Sequence, residues 1–193
     1  MPTSVPEATL DLTTLLRDLV ADGLLSQDSA NEIAGRPGTR GTARAHPLTE
    51  IAAQQPKSAR APAAVLSLDA LTAWLAARAR LPLVHIDPLR IKVAAVTAVM
   101  SFEFARRHSI LCVEVKADTI VIACAQPYVT RWIADLEQAT RKAVRRVVAN
   151  PADIEKYLVE FYTLSRSVFG AGRSGGNDRA AITNFEQLLD LGA

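Results

Sequence analysis

Residues 81–127 read LPLVHIDPLRIKVAAVTAVMSFEFARRHSILCVEVKADTIVIACAQP, and the order of patterns in them decides the fold. Pro82-Leu83-Val84-His85-Ile86 is a short apolar strand, and Asp87-Pro88 turns the chain, because the residue before a proline is pushed out of helical geometry. A helix of small and apolar residues is expected over Val93–Arg107, with Val93, Val96, Met100, Phe104 and Ala105 on one face. Arg106, Arg107 and His108 close it, where cations suit the negative end of the helix dipole. Ile110–Val115 and Thr119–Cys124 are rich in β-branched residues and flank Lys116-Ala117-Asp118, as a hairpin requires. Ala125-Gln126-Pro127 stops the second strand. Nothing in this stretch resembles a reacting group; it is the packed centre of a small α/β unit.

Downstream, Tyr128–Thr140 has helical spacing, with Trp132, Ile133 and Leu136 apolar. Val144–Val148 is a last strand. Asn150-Pro151 breaks it and opens a helix running from Ala152 to about Val168, burying Ile154, Leu158, Phe161 and Leu164. Arg141, Lys142, Arg145 and Arg146 are the densest basic patch, either a solvated strand edge or a docking surface; Arg141, Arg145 and Arg146 are the docking candidates. Residues 170–180 are expected to be a flexible linker. Residues 181–193 look like the start of a further helix, which suggests the front part of a longer chain or a truncated one.

Upstream, residues 1–10 are expected to fray. Leu12, Leu15, Leu16, Leu19 and Val20 give one helical face, with Asp11 or Thr13 as cap and Gly23 as left-handed stop. Ser26 caps a second helix through Ile33. This helix–turn–helix does not suit DNA, because its second helix, SQDSANEIA, has no Arg or Lys. Residues 35–45 and 55–63 are loops. His46-Pro47-Leu48 opens a short helix through Gln54, and Ser67 caps another over Leu68–Arg78. Leu25-Ser26-Gln27-Asp28 and Leu66-Ser67-Leu68-Asp69 echo one another, as two copies of one helical hairpin would. The expected fold is therefore α+β: N-terminal helical hairpins over residues 11–80, then a small three- to four-stranded sheet packed with helices over residues 81–169.

Composition narrows function. The chain has 193 residues, 49% hydrophobic and 22% charged, enough for one or two compact units. A net charge of +2 and a pI near 8.7 are too mild to argue for nucleic acid. The first residues have neither a basic n-region nor an apolar h-region, so no signal peptide is expected, and the longest apolar run, Val93–Met100 with Thr97 admitted, is far short of the ~20 residues of a membrane span. A soluble cytoplasmic protein is expected. Cys112 and Cys124 lie in strands without CxxC spacing and read as buried thiols. His46, His85 and His108 sit in different elements. The sequence has no HExxH, GxSxG or GxxxxGK[ST], so no catalysis or metal binding is expected.

Leu81-Pro82, Arg107-His108 and Ala125-Gln126-Pro127 resemble, in order and spacing, the N-terminal domain of the type II secretion assembly ATPase, general secretion pathway protein E, and of related type IV pilus ATPases (MshEN-like). Asn184-Phe185-Glu186-Gln187-Leu188 resembles the segment leading into the next domain of that family, so the resemblance runs from about Leu12 to Gly192. It implies a domain without chemistry of its own. Such a domain docks the ATPase onto the cytoplasmic part of an inner-membrane partner of the general secretion pathway protein L type and precedes a motor ATPase domain. The chain would be cytoplasmic and peripheral to the inner membrane through that partner, as a fragment, a split gene product or a stand-alone adaptor.

Some relatives bind cyclic di-GMP through two copies of RLGxxLVxxGxL. The first copy here would be Thr14–Leu25, in which Leu15, Leu19, Val20 and Gly23 match. Thr14 stands at the arginine, which would stack on guanine or pair a phosphate, and Leu16 stands at the first glycine. The second copy, from His46 and Leu48, lacks the Arg-Leu-Gly core. The resemblance thus names Thr14, Leu15, Leu19, Val20, Gly23, His46 and Leu48 as nucleotide-site candidates, and cyclic di-GMP sensing as the alternative to docking.

Overall fold

In the computed structural model, which describes residues 8–36, 45–61 and 64–167, each early helix begins at a side chain able to cap it. Helix α1 (Leu12–Ala21) starts at Asp11, whose carboxylate accepts from the Thr14 N–H. Helix α2 (Gln27–Gly35) starts at Ser26 and α4 (Leu68–Ala79) at Ser67, each hydroxyl accepting from an N–H three residues on. The two Leu-Ser-x-Asp segments therefore hold equivalent places. Helix α3 (Pro47–Ala53) uses His46 as its cap and Pro47 in its first turn. Gly23 follows α1 at φ +68, the left-handed turn that lets the chain reverse. The inner faces of these helices bury Leu15, Leu16, Leu19, Ile33, Leu48, Ile51, Leu71 and Leu75 in one apolar cluster.

A second cluster forms the α/β unit. Strand β1 (Ile110–Val115) runs antiparallel to β2 (Thr119–Cys124), with a register shift between Cys112 and Glu114. Strand β3 (Ala143–Val148) lies on the other side of β2 and parallel to it. A parallel neighbour needs a crossover, and α7 (Trp132–Thr140) supplies it. The sheet order is β1-β2-β3. Residues 151–167 form α8, whose Ile154, Leu158 and Phe161 close the core.

Four sequence expectations are corrected here. Pro82–Ile86 is not a full strand: Leu83 alone bridges Val148, through Val84 N–H to Val148 O at 2.9 Å and Val148 N–H to Pro82 O at 2.8 Å. In that register, residues 85 and 86 would face Asn150 and Pro151, which already begin α8, and proline has no N–H to offer a ladder. The long helix over Val93–Arg107 is two helices, α5 (Val93–Thr97) and α6 (Phe102–His108). The first ends at Thr97 with Ala98 as its cap, and Ser101 caps the second, accepting from Phe104 N–H at 3.2 Å. The break frees the Met100 carbonyl, which accepts from the Tyr162 hydroxyl of α8 at 2.7 Å. Helix α7 begins at Trp132 rather than Tyr128, because Tyr128 turns toward the helical cluster. Leu164 is 52% exposed; the inward place after Phe161 goes to Ser165, whose hydroxyl meets that of Thr97 at 3.0 Å. The expectations for residues 1–7, 37–44 and beyond 167 lie outside the described residues.

Because Ser101 caps α6, Ser101→Ala is expected to lower stability by about 1 kcal/mol, the usual cost of a lost N-cap. Chemical denaturation followed by circular dichroism reads it; an unchanged midpoint would mean that packing alone sets the break.

The two units meet at the end of β2. The His46 ring donates from Nε2 to Ala125 O at 3.0 Å, Leu10 N–H donates to Gln126 Oε1 at 2.9 Å, and Tyr128 packs on the helical cluster. Asn150 Nδ2 donates to Asp69 Oδ1 at 2.7 Å, a further tie between α4 and the start of α8.

Candidate functional site

Helices α1 and α2 diverge from the Gly23 turn and leave a groove of about 380 Å³ between them. Thr13, Leu16, Arg17 and Val20 line it from α1, and Gln27, Ala30, Asn31 and Ala34 from α2. The small side chains of α2 make room; Arg17 stands at the rim, its side chain 73% exposed and 3.7 Å from the Asp18 carboxylate.

The nucleotide-site candidates do not converge on this groove. Val20 lines it, but Leu15, Leu19 and Leu48 are core residues, at most 2% exposed. Thr14 is half-buried, and its backbone N–H is held by Asp11 at 2.9 Å. At Gly23 a Cβ would meet nothing within 4 Å, so the left-handed backbone, not close approach of another group, is what calls for glycine. Leu16, where the motif has glycine, fills the groove floor at 4% exposure.

His46 is committed to structure. Its Nδ1 accepts from Leu48 N–H at 3.3 Å, so Nε2 carries the proton donated to Ala125 O. Burial pushes its pKa down to about 4, and the ring is neutral near pH 7.

A polar cluster that the sequence did not point to closes the other side of the first hairpin. Asp22 Oδ2 accepts from Trp74 Nε1 at 2.8 Å and from Arg78 Nη1 at 2.9 Å, while Arg78 Nη2 reaches Asp18 Oδ2 at 3.0 Å. The indole donor and then the Arg78 charge hold Asp22 below the usual carboxylate range, against the opposing effect of burial. These carboxylates are satisfied within the fold. The only sequence signal was an Asp on α1 four residues before the Asp at its C-terminal cap and a Trp four before an Arg on α4, which is the helical same-face spacing.

The basic patch is divided. Arg146 Nη1 donates to Pro127 O at 2.7 Å, whereas Arg145, on the opposite side of β3, is exposed. Arg141 is the left-handed cap of α7, at φ 54. Lys142 bonds the carbonyls of Lys116 and Ala117 and so ties the β1–β2 turn. The two thiols are free and buried, with burial raising both to about 12, outside the range of reactive cysteines. Among the described residues no group of three or more His, Cys, Asp or Glu is placed to hold a metal. No helix among them is long and apolar enough to cross a membrane.

Comparison with known proteins gives the setting. Residues 79–168, which hold the α/β unit, match the MshEN domain family. The type IV pilus assembly ATPase TfpB of Acinetobacter baylyi is 33% identical over 184 residues, 95% of this chain and 31% of TfpB. The chain thus spans about a third of that relative's length. Among solved structures, MshE with cdg aligns at 18% identity and a TM-score of 0.49, covering 79% of this chain and 99% of that one. The N-terminal domain of XpsE aligns at 17% identity and a TM-score of 0.48, covering 80% and 97%.

Proposed function

Since residues 79–168 are a MshEN domain and the chain is homologous over most of its length to a type IV pilus assembly ATPase, we propose that it is a non-catalytic docking and regulatory module of a type II secretion or type IV pilus ATPase. In this role it links the motor to the cytoplasmic part of an inner-membrane partner of the general secretion pathway protein L type, and so serves protein export or pilus assembly from the cytoplasmic side. The observation that carries the reading is identity sustained across 95% of the chain with a motor protein, combined with polar groups that serve the fold. His46, Asp18, Asp22 and Arg146 each have a structural partner, and both thiols are buried. Catalysis needs groups left free and convergent, and these named groups are held by partners within the fold.

The alternative is cyclic di-GMP sensing. Arg17 favours it: although Thr14 replaces the motif arginine, Arg17 places a guanidinium at the groove rim one helical turn on, beside Val20. Against it stand the Leu16 side chain in the groove floor and the burial of Leu15, Leu19 and Leu48. Titration calorimetry of the chain with cyclic di-GMP separates the two. The docking reading expects no saturable heat; a saturable isotherm that Arg17→Ala abolishes would install sensing in its place.

A further inference from the structure

We propose that the corner made by the Leu89 turn and the cleft between it and β1 is where this chain seats an acidic protein partner. The inference deepens the docking reading above and rests on it.

The turn is built before any partner arrives. Pro88–Arg90 is a single 3₁₀ turn. Asp87 caps it by accepting Leu89 N–H at 3.1 Å through its carboxylate, and Arg90 N–H reaches Asp87 O at 3.1 Å. Ile86 on one side is buried in the α/β core and Ile91 on the other packs against it, so both ends of the turn are anchored. At its tip Leu89 is 94% exposed, against 51–53% for the other exposed large apolar residues among those described. A leucine held out on a rigid turn loses little further freedom on binding, which is the condition for a productive anchor.

The charges beside it are uncommitted. Arg90 and Lys92 are exposed, and neither side chain has a hydrogen-bond or ion-pair partner among the described residues. By contrast Arg78, Arg106, Lys116, Lys142 and Arg146 all do. Next to them a cleft of about 170 Å³ runs between Arg90, Lys92, Ala95 and Val96 on one side and Val113 and Val115 on the other. Glu114 at the cleft is already neutralised by Lys116 at 3.2 Å. The surface is thus an apolar knob, a small cleft with a mainly polar lining, and two free cations side by side. Its complement is a protein face with an apolar cup for Leu89 and carboxylates that meet Arg90 and Lys92 at the cleft.

A second copy of this chain fits poorly. Seating each Leu89 in the other's cleft would set Arg90 and Lys92 of both copies along one seam, with like charges facing. A lipid surface also fits poorly: two cations, at about 1 kcal/mol each near an anionic leaflet, and one leucine fall short of stable anchoring.

The test is calorimetric titration of the whole chain with the purified cytoplasmic region of a general secretion pathway protein L type partner. The chains compared are wild type, Leu89→Ser, the double variant R90E/K92E, and Arg145→Glu as a control from the other basic patch. All substituted side chains are exposed, and thermal melts verify folding. Leu89→Ser and the double variant are each expected to weaken binding about tenfold or more. The double variant also loses most of the salt dependence, and Arg145→Glu stays within about twofold of wild type. Equal affinity for wild type, Leu89→Ser and the double variant overturns the surface while leaving docking intact, as does loss with Arg145→Glu alone. Wild-type chain that fails to bind the partner but sediments with phosphatidylserine vesicles, in a manner abolished by R90E/K92E, overturns it in favour of a membrane contact. Wild type that binds neither overturns the docking reading and this surface together.

Discussion

Trp132→Ala is expected to lower the stability of the fold by about 3–5 kcal/mol, the range for truncating a large aromatic in a close-packed core. Trp132 is 1% exposed at the first turn of α7, the crossover that joins β2 to β3. Its loss removes the main apolar anchor of the element that makes the parallel pairing possible, and the rest of α7 buries only Leu136. The indole N–H has no hydrogen-bond partner among the described residues, so the ring contributes through packing alone. Trp132→Phe keeps most of that packing and removes an unsatisfied donor, whose burial costs about 1–3 kcal/mol. It is therefore expected to lose less than half as much. Urea unfolding followed by far-ultraviolet circular dichroism compares the three proteins. A Trp132→Ala loss below about 1 kcal/mol would show that α7 is held by its neighbours rather than by this ring.

The second large effect is a loss of stability in mild acid that belongs to His46. Its pKa is about 4 in the folded chain against 6.5 for an unperturbed ring, because burial disfavours the imidazolium. Between these values the unfolded chain binds a proton that the folded chain refuses. Stability is therefore fully present above about pH 6.5, falls as pH drops toward 4, and reaches a plateau below it. The full loss is up to about 3 kcal/mol, at 1.36 kcal/mol per unit. Geometry agrees: a protonated Nδ1 can no longer accept Leu48 N–H, and the first turn of α3 loses its cap. The depressed carboxylates act elsewhere on the scale. Asp11, held down by its Thr14 hydrogen bonds, and Asp22, by Trp74 and Arg78, contribute stability that is lost only below 3.8. Denaturation midpoints measured across the pH range should slope between about 6.5 and 4 in the wild type and flatten in that window for His46→Gln. Equal slopes would place the acid sensitivity in some other group.

The parts of the fold legible in the sequence are those whose cause is local. Asp11, Ser26 and Ser67 announce helix starts because the cap and the donor it satisfies lie three residues apart. Strands β1 and β2 fall on Ile110–Val115 and Thr119–Cys124, the spans that their β-branched residues mark. Features decided at long range were not legible. Whether Pro82–Ile86 becomes a strand depends on what lies opposite it, and that is the start of α8. Val93–Arg107 has an unbroken apolar face, but its continuity is traded for the Tyr162–Met100 hydrogen bond from a residue 62 positions away. The site residues show the same division. Leu15, Leu19 and Leu48 match motif positions that core packing would keep in any case, and they lie in the helical cluster. Arg145 and Arg146 are adjacent in sequence, and strand alternation sends them to opposite faces. The exposure of Leu89 is set by the 3₁₀ turn around it, which the residue pattern alone does not display.

The most direct measurement of the central claim is calorimetric titration of the purified chain with the cytoplasmic region of a general secretion pathway protein L type partner, run beside a titration with cyclic di-GMP. The account predicts saturable, stoichiometric binding of the protein and no saturable heat from the nucleotide. Saturable binding of cyclic di-GMP with no binding of the protein would contradict it.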